Sequence, residues 1–125
     1  MSMAAVLFLA AAPAMTSPSP EVANEIRVIG RRMKGWRGRV IKQDGELACR
    51  TRTSTGDKDV DAIRCGSMLA CIGPLEGQMD AIANSDMPTA ERNRRMSELS
   101  MSAAPCMDAY HDRAVAALAA QRAAR

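Results

Sequence analysis

Four cysteines, Cys49, Cys65, Cys71 and Cys106, constrain the fold of this chain of 125 residues more than any other feature of its sequence. An even number of cysteines in a small chain predicts disulfide bonds if the protein reaches an oxidising compartment. The intervals between them are 16, 6 and 35 residues. Structural zinc sites usually bring their ligands in close pairs such as C-x2-C. The spacing therefore favours two disulfides over zinc, and the sequence predicts no metal or other cofactor.

Four cysteines allow three pairings, and helix geometry removes one of them. Cys65 and Cys71 lie in a helical pattern over 59–72, where six residues separate them by about 9 Å along the axis. Because disulfide-bonded Cα atoms rarely lie more than about 7 Å apart, Cys65–Cys71 is excluded if that helix is continuous. We favour Cys49–Cys65 with Cys71–Cys106, and the alternative is Cys49–Cys71 with Cys65–Cys106.

The first 14 residues, MSMAAVLFLAAAPA, have the pattern of a secretory signal peptide. The apolar run is too short to span a bilayer as a helix, which takes roughly 20 residues. Ala12-Pro13-Ala14 fits the small-x-small pattern before a cleavage site, although no Lys or Arg precedes the run. This interpretation predicts a periplasmic or secreted protein with no transmembrane span in its mature chain. The alternative is a buried N-terminal helix.

Removal of that segment leaves few large apolar side chains to form a core. The hydrophobic share is 47%, but alanine supplies 23 of those residues. After residue 14, the aliphatic residues larger than alanine, methionine and the aromatic residues together number 26 of 111. Such a core gives little stability once conformational entropy is subtracted. Two disulfides, at about 3–4 kcal/mol each in the loop-entropy model, would supply much of the stability that the core does not provide.

Local patterns in the first half of the mature chain predict β structure. Residues 15–24 have the composition of an extended polar lead, and Glu25–Ile29 is β-compatible enough to predict a short strand. Asp44-Gly45 between RGRVIKQ and ELACRTR predicts a two-residue hairpin turn, because both central positions require positive φ. This turn sets a register in which Arg39 faces Arg50.

The pattern becomes helical after Gly56. We expect a buried helix over 59–72 with an aspartate at its N-cap, a second helix after Pro74, a third from Pro88 to about residue 102, and a last one over about 106–122. The prediction is one α+β domain over 25–125, in which a small N-terminal antiparallel β-hairpin or ribbon precedes three to four helices. The basic ribbon covers 25–53 and the helical part covers 57–122.

The basic residues are concentrated in that ribbon. Seven lie between residues 27 and 42 with no acidic residue among them, whereas ten basic and twelve acidic residues follow from Gln43 onward. Alternation along the hairpin places four arginines on one face, and Trp36 lies beside them in the sequence. Arginine suits phosphate and carboxylate because its planar fork donates two parallel hydrogen bonds. The candidate anion-binding residues are therefore Trp36, Arg37, Arg39, Arg50 and Arg52.

The partner expected for this face is an anionic envelope component or an acidic protein, and nucleic acid is not expected for an exported protein. The simpler interpretation is a solvated sheet face that Asp57, Asp59 and Asp61 neutralise, with Trp36 in the core. If the chain is not exported, nucleic-acid or zinc binding becomes the alternative function.

The other candidate chemistry depends on His111, the only histidine. Asp108 shares its helix face at the i, i+3 spacing, and Asp112 follows it directly. A small enzyme would need a nucleophile such as Ser97 or Ser100, but the G-x-S-x-G pattern is absent. We therefore predict no catalytic residue and keep a His111 enzyme as an alternative.

The chain resembles small exported four-cysteine proteins of Gram-negative bacteria. The resemblance lies in the alanine-rich leader and in the segments IRVIGRRMKGWRGRV, LACRTRTSTGDKDVDAIRC and MLACIGPL. It covers most of the mature chain and supports export and paired cysteines. It implies no activity, cofactor or catalytic residue. The residues themselves lead us to expect a non-enzymatic structural or binding role.

Overall fold

A computed structural model describes residues 17–125, and the predicted signal segment 1–14 lies outside them. The described chain is α+β: one helix precedes a two-stranded antiparallel hairpin and four helices follow it. Within residues 17–125, no helix has both the length and the apolar character to cross a bilayer. The elements in chain order are α1 (Pro20–Met33), β1 (Arg37–Gln43), β2 (Glu46–Thr53), α2 (Lys58–Ile72), a 3-10 turn (Gly73–Leu75), α3 (Glu76–Ala83), α4 (Thr89–Met101) and α5 (Ala104–Ala123).

The structure has helix α1 where the sequence predicted a short strand at Glu25–Ile29 and, from residue 20 onward, an extended lead. Both predictions are therefore wrong. Ser19 caps the helix, since its Oγ accepts from the backbone N–H of Val22 at 3.3 Å, and Pro20 occupies the first turn, where its missing N–H costs nothing. Ile29 is fully buried in a cluster that includes side chains of α5. The β-branched run is helical because its apolar side chains meet α5 at helical spacing.

The hairpin confirms the predicted turn and most of the predicted register. Asp44 and Gly45 take φ values of 53° and 78°, and Arg39 faces Arg50 as expected. The register shifts by one residue at the open end, where Arg37 faces Thr53. Arg52 is therefore the extra residue of a β-bulge.

Helix α2 is held from both sides by the two disulfides, and the favoured pairing is confirmed. Cys49–Cys65 links β2 to α2 with a Cα–Cα distance of 5.6 Å, and Cys71–Cys106 links α2 to the first turn of α5 at 5.7 Å. No cysteine is free. Because all four sulfurs are paired in disulfides, this structure offers no thiolate ligand for zinc.

The buried side chains form two clusters, one at the N-terminal half of α2 and the other at its C-terminal end. The larger one joins α1, α2 and α5 around Ile29, Val60 and Leu118. The smaller one surrounds the Cys71–Cys106 disulfide with Ile72 and Ala103. Each cluster contains few large side chains, so the disulfides fasten the elements that the clusters hold together.

Candidate functional site

The hairpin carries a cross-strand pair of arginines that forms no ion pair within residues 17–125. Arg39 and Arg50 face each other across the ladder, and both are exposed. Arg52 is exposed at the bulge, one residue beyond the regular register. Within residues 17–125, no carboxylate lies within 4 Å of any of these three guanidinium groups. We call Arg39, Arg50 and Arg52 the arginine face.

Two of the five predicted anion-binding residues do not belong to this face. The guanidinium of Arg37 turns back on its own chain, where Nη1 donates to the carbonyls of Lys34 at 3.2 Å and Trp36 at 3.1 Å. Trp36 is only 3% exposed, and its Nε1 donates to Thr51 Oγ1 at 3.1 Å. Trp36 is thus a core residue, as the simpler interpretation expected, and a ligand at the arginine face does not contact its ring.

The aspartates expected to neutralise the arginines are engaged elsewhere. Asp57 is paired with Arg32 at 2.8 Å and with Arg122 at 2.8 Å, and Asp59 lies 3.3 Å from the same Arg122. Asp61 accepts hydrogen bonds from Ser54 and from the backbone and side chain of Thr55. These carboxylates hold the helices together and leave the arginine face to solvent.

His111 lies half-buried on α5, where its Nε2 is 2.8 Å from the hydroxyl of Ser67 on α2. Burial lowers the pKa of His111, the nearby charge of Arg64 lowers it further, and Asp108 and Asp112 act in the opposite direction. The ring is therefore neutral near pH 7.

The surroundings of His111 do not provide an accessible nucleophile. Ser67 has no exposed surface, and its hydroxyl also donates to the carbonyl of Arg64 at 2.8 Å. Ser97 and Ser100, the nucleophiles considered from the sequence, lie exposed on α4. A substrate cannot reach the one serine hydroxyl that contacts the ring.

A cavity of about 620 Å³ opens beside His111 between α1, α2 and α5. The cavity does not follow from the sequence prediction because one of its walls is α1, a segment that was expected to be extended. The signal that would have found it is the Ser19-Pro20 helix start together with the spacing of Val22, Ile26 and Ile29. Among the residues that the structure describes, no three potential metal ligands converge.

Comparison of the chain with protein-family models, with curated proteins and with solved structures gives no match. Its function is therefore argued from its own residues.

Proposed function

We propose that this chain is an exported, disulfide-stabilised domain that binds an anionic partner through its arginine face and has no catalytic role. Export is supported by the signal-like segment 1–14 and by two disulfides, which persist in oxidising compartments. Its partner is an anionic envelope component or an acidic protein. The arginine face carries the binding part of the proposal.

The cross-strand pair Arg39 and Arg50 is the observation that carries this function. Like charges directly opposite each other in a ladder destabilise it. Every ion pair of the described chain uses other cations, including Lys42 of the same hairpin, which lies 3.1 Å from Glu76 and 2.8 Å from Asp80. A phosphate or carboxylate that bridges the two guanidinium groups removes their repulsion and gains charge-assisted hydrogen bonds.

Removal of the arginine face tests the proposal. The variant Arg39→Gln/Arg50→Gln/Arg52→Gln is compared with Arg94→Gln/Arg95→Gln/Arg113→Gln, which changes the net charge equally on α4 and α5. The probes are vesicles of phosphatidylglycerol or phosphatidylcholine, and polyglutamate. We expect the first variant to lose at least about tenfold in affinity for phosphatidylglycerol or polyglutamate, or about 1.4 kcal/mol, and the control to lose much less. Equal affinities in the two variants would contradict a role for this face.

Export has a separate test in the intact mass of protein produced from the full sequence in a Gram-negative bacterium. We expect the loss of residues 1–14 and four cysteines that resist alkylation until they are reduced. An uncleaved chain with four free thiols, together with tight binding to nucleic acid, would instead favour the cytosolic alternative.

A further inference from the structure

The cavity between α1, α2 and α5 has the size and lining of a small-molecule site. Its volume of about 620 Å³ falls in the range of roughly 300–1,000 Å³ that is typical of ligand pockets. Helix α1 contributes Ile26 and Met33 to the wall, and α5 contributes Val115 and Ala116. These apolar side chains can contact a hydrocarbon chain.

Arg64 brings a cation to this apolar wall without an anion to match it. Its Nε is buried without a hydrogen-bond partner, and its Nη1 lies 3.5 Å from Nε2 of His111, which is a long contact. The guanidinium carbon lies 5.1 Å from the ring centre of Trp36, so a cation–π contact holds it in place. No carboxylate of residues 17–125 lies within 4 Å of it, and residues 1–16 contain no Asp or Glu.

We propose that this cavity binds a single-chain amphiphile with a carboxylate head group, such as a medium-chain fatty acid. The carboxylate pairs with the guanidinium of Arg64, and the acyl chain lies along the apolar side chains of α1 and α5. The site is separate from the arginine face, and the proposal does not depend on it.

The other charges at the cavity favour a ligand with one negative charge. Lys34, directly after α1, and Asp112 of α5 both line the cavity and carry opposite charges, and His111 adds a hydrogen-bonding group to the wall. Because Arg64 lines the cavity, a carboxylate head group gains an ion pair there that an uncharged or cationic head group does not.

Dodecanoate is the probe, and dodecanol and dodecyltrimethylammonium are matched chains with other head groups. Binding to the oxidised protein is followed by calorimetry and by the emission of Trp36, the only tryptophan, because its ring contacts Arg64. We expect one molecule of dodecanoate per chain, at least about tenfold weaker binding of dodecanol, and affinity that rises by up to about fourfold per methylene from octanoate to dodecanoate. Equal binding of the three head groups would overturn the assignment to Arg64, and no binding of dodecanoate would overturn the site.

Gly30 permits a variant that fills the cavity without disturbing the fold. It lines the cavity within α1, and a Cβ placed there meets no atom within 4 Å. Gly30→Leu should therefore remove dodecanoate binding and leave the helix at least as stable, since leucine is a better helix former than glycine. Gly77→Leu is the matched control on α3, where a Cβ also meets no atom within 4 Å, and it should bind as the wild type does. Unchanged binding in Gly30→Leu would place the ligand elsewhere.

Arg64→Gln tests the head-group contact. We expect it to weaken dodecanoate at least about tenfold and to change dodecanol little. Circular dichroism and the intact disulfides establish that this variant is folded. A variant that binds both ligands as the wild type does would contradict a role for Arg64.

Discussion

The guanidinium of Arg122, near the end of α5, forms a two-pronged ion pair with the carboxylate of Asp57, 65 residues earlier in the chain, with N–O distances of 2.8 and 2.9 Å. The same carboxylate accepts from the backbone N–H groups of Asp59 and Val60 and so caps α2. It also accepts from Arg32 of α1 at 2.8 Å. One aspartate thus joins the ends of three helices, and its side chain is only 11% exposed.

Asp57→Ala should lower the free energy of unfolding by about 2–4 kcal/mol, because it removes a helix cap, the one carboxylate paired with Arg32 and the nearer of the two carboxylates paired with Arg122. Asp57→Asn keeps a capping oxygen and loses only the charge, so we expect about half of that loss. Urea unfolding of the oxidised protein measures both. Asp86→Ala, in an exposed loop between α3 and α4, is the control and should change stability little.

Stability should fall on acidification in two steps that follow from Asp57 and His111. The hydrogen bond from Arg122 holds the pKa of Asp57 well below its ordinary 3.8, burial opposes this, and Val60 N–H and Arg32 lower it further. Because the folded state binds this proton less readily than the unfolded state, the stabilisation is complete above pH 4 and is lost as the pH falls below it.

The His111 step lies at higher pH. Its pKa is lowered from 6.5, so its contribution is present above pH 6.5 and declines as the pH falls below that value. Unfolding at a series of pH values measures both steps. In Asp57→Asn the decline below pH 4 should be smaller, and in a His111→Gln variant the step below pH 6.5 should disappear. An unchanged pH profile in both variants would contradict these assignments.

Loss of either disulfide should destabilise the domain strongly. In the loop-entropy model, Cys49→Ala/Cys65→Ala costs about 3 kcal/mol and Cys71→Ala/Cys106→Ala about 4 kcal/mol, because the second bridge closes the longer loop. Chemical unfolding of each paired variant gives these values. Peptide mapping without reduction checks the pairing, and a peptide that links Cys49 to Cys71 would contradict it.

Gly38→Ala should destabilise the hairpin by about 1–3 kcal/mol, since a Cβ at this position would overlap the Trp36 ring and lie 2.6 Å from the Arg50 carbonyl. Gly35→Ala is the control, because its Cβ would lie 3.5 Å from the Arg32 carbonyl, which is an ordinary contact. Urea unfolding followed by Trp36 emission measures both variants. Equal free energies of unfolding for the two variants would contradict a close contact between the Trp36 ring and the backbone at Gly38.

Only the part of the arginine face that depends on local backbone geometry could be predicted from the sequence. The Asp44-Gly45 turn sets the register, and the register alone places Arg39 opposite Arg50. The bulge that displaces Arg52 and the hydrogen bonds that turn Arg37 back on α1 depend on how the helix ends and meets the hairpin. No local pattern contains that information.

The sequence by itself determined the hairpin and the helix starts near Asp57 and Pro88, and it excluded one of the three disulfide pairings, because positive φ, capping and helix rise act over a few residues. The tertiary structure decided between the two remaining pairings. Only the tertiary structure decided that Glu25–Ile29 is helical, that Trp36 is buried, and that Asp57 meets Arg122. The first and the last of these depend on which surfaces meet α5, more than 60 residues away in the chain, whereas Trp36 is buried against Thr51 of β2 and Arg64 of α2. A β-branched run is compatible with a strand or a helix by its local preferences, and burial against a distant helix selects between them.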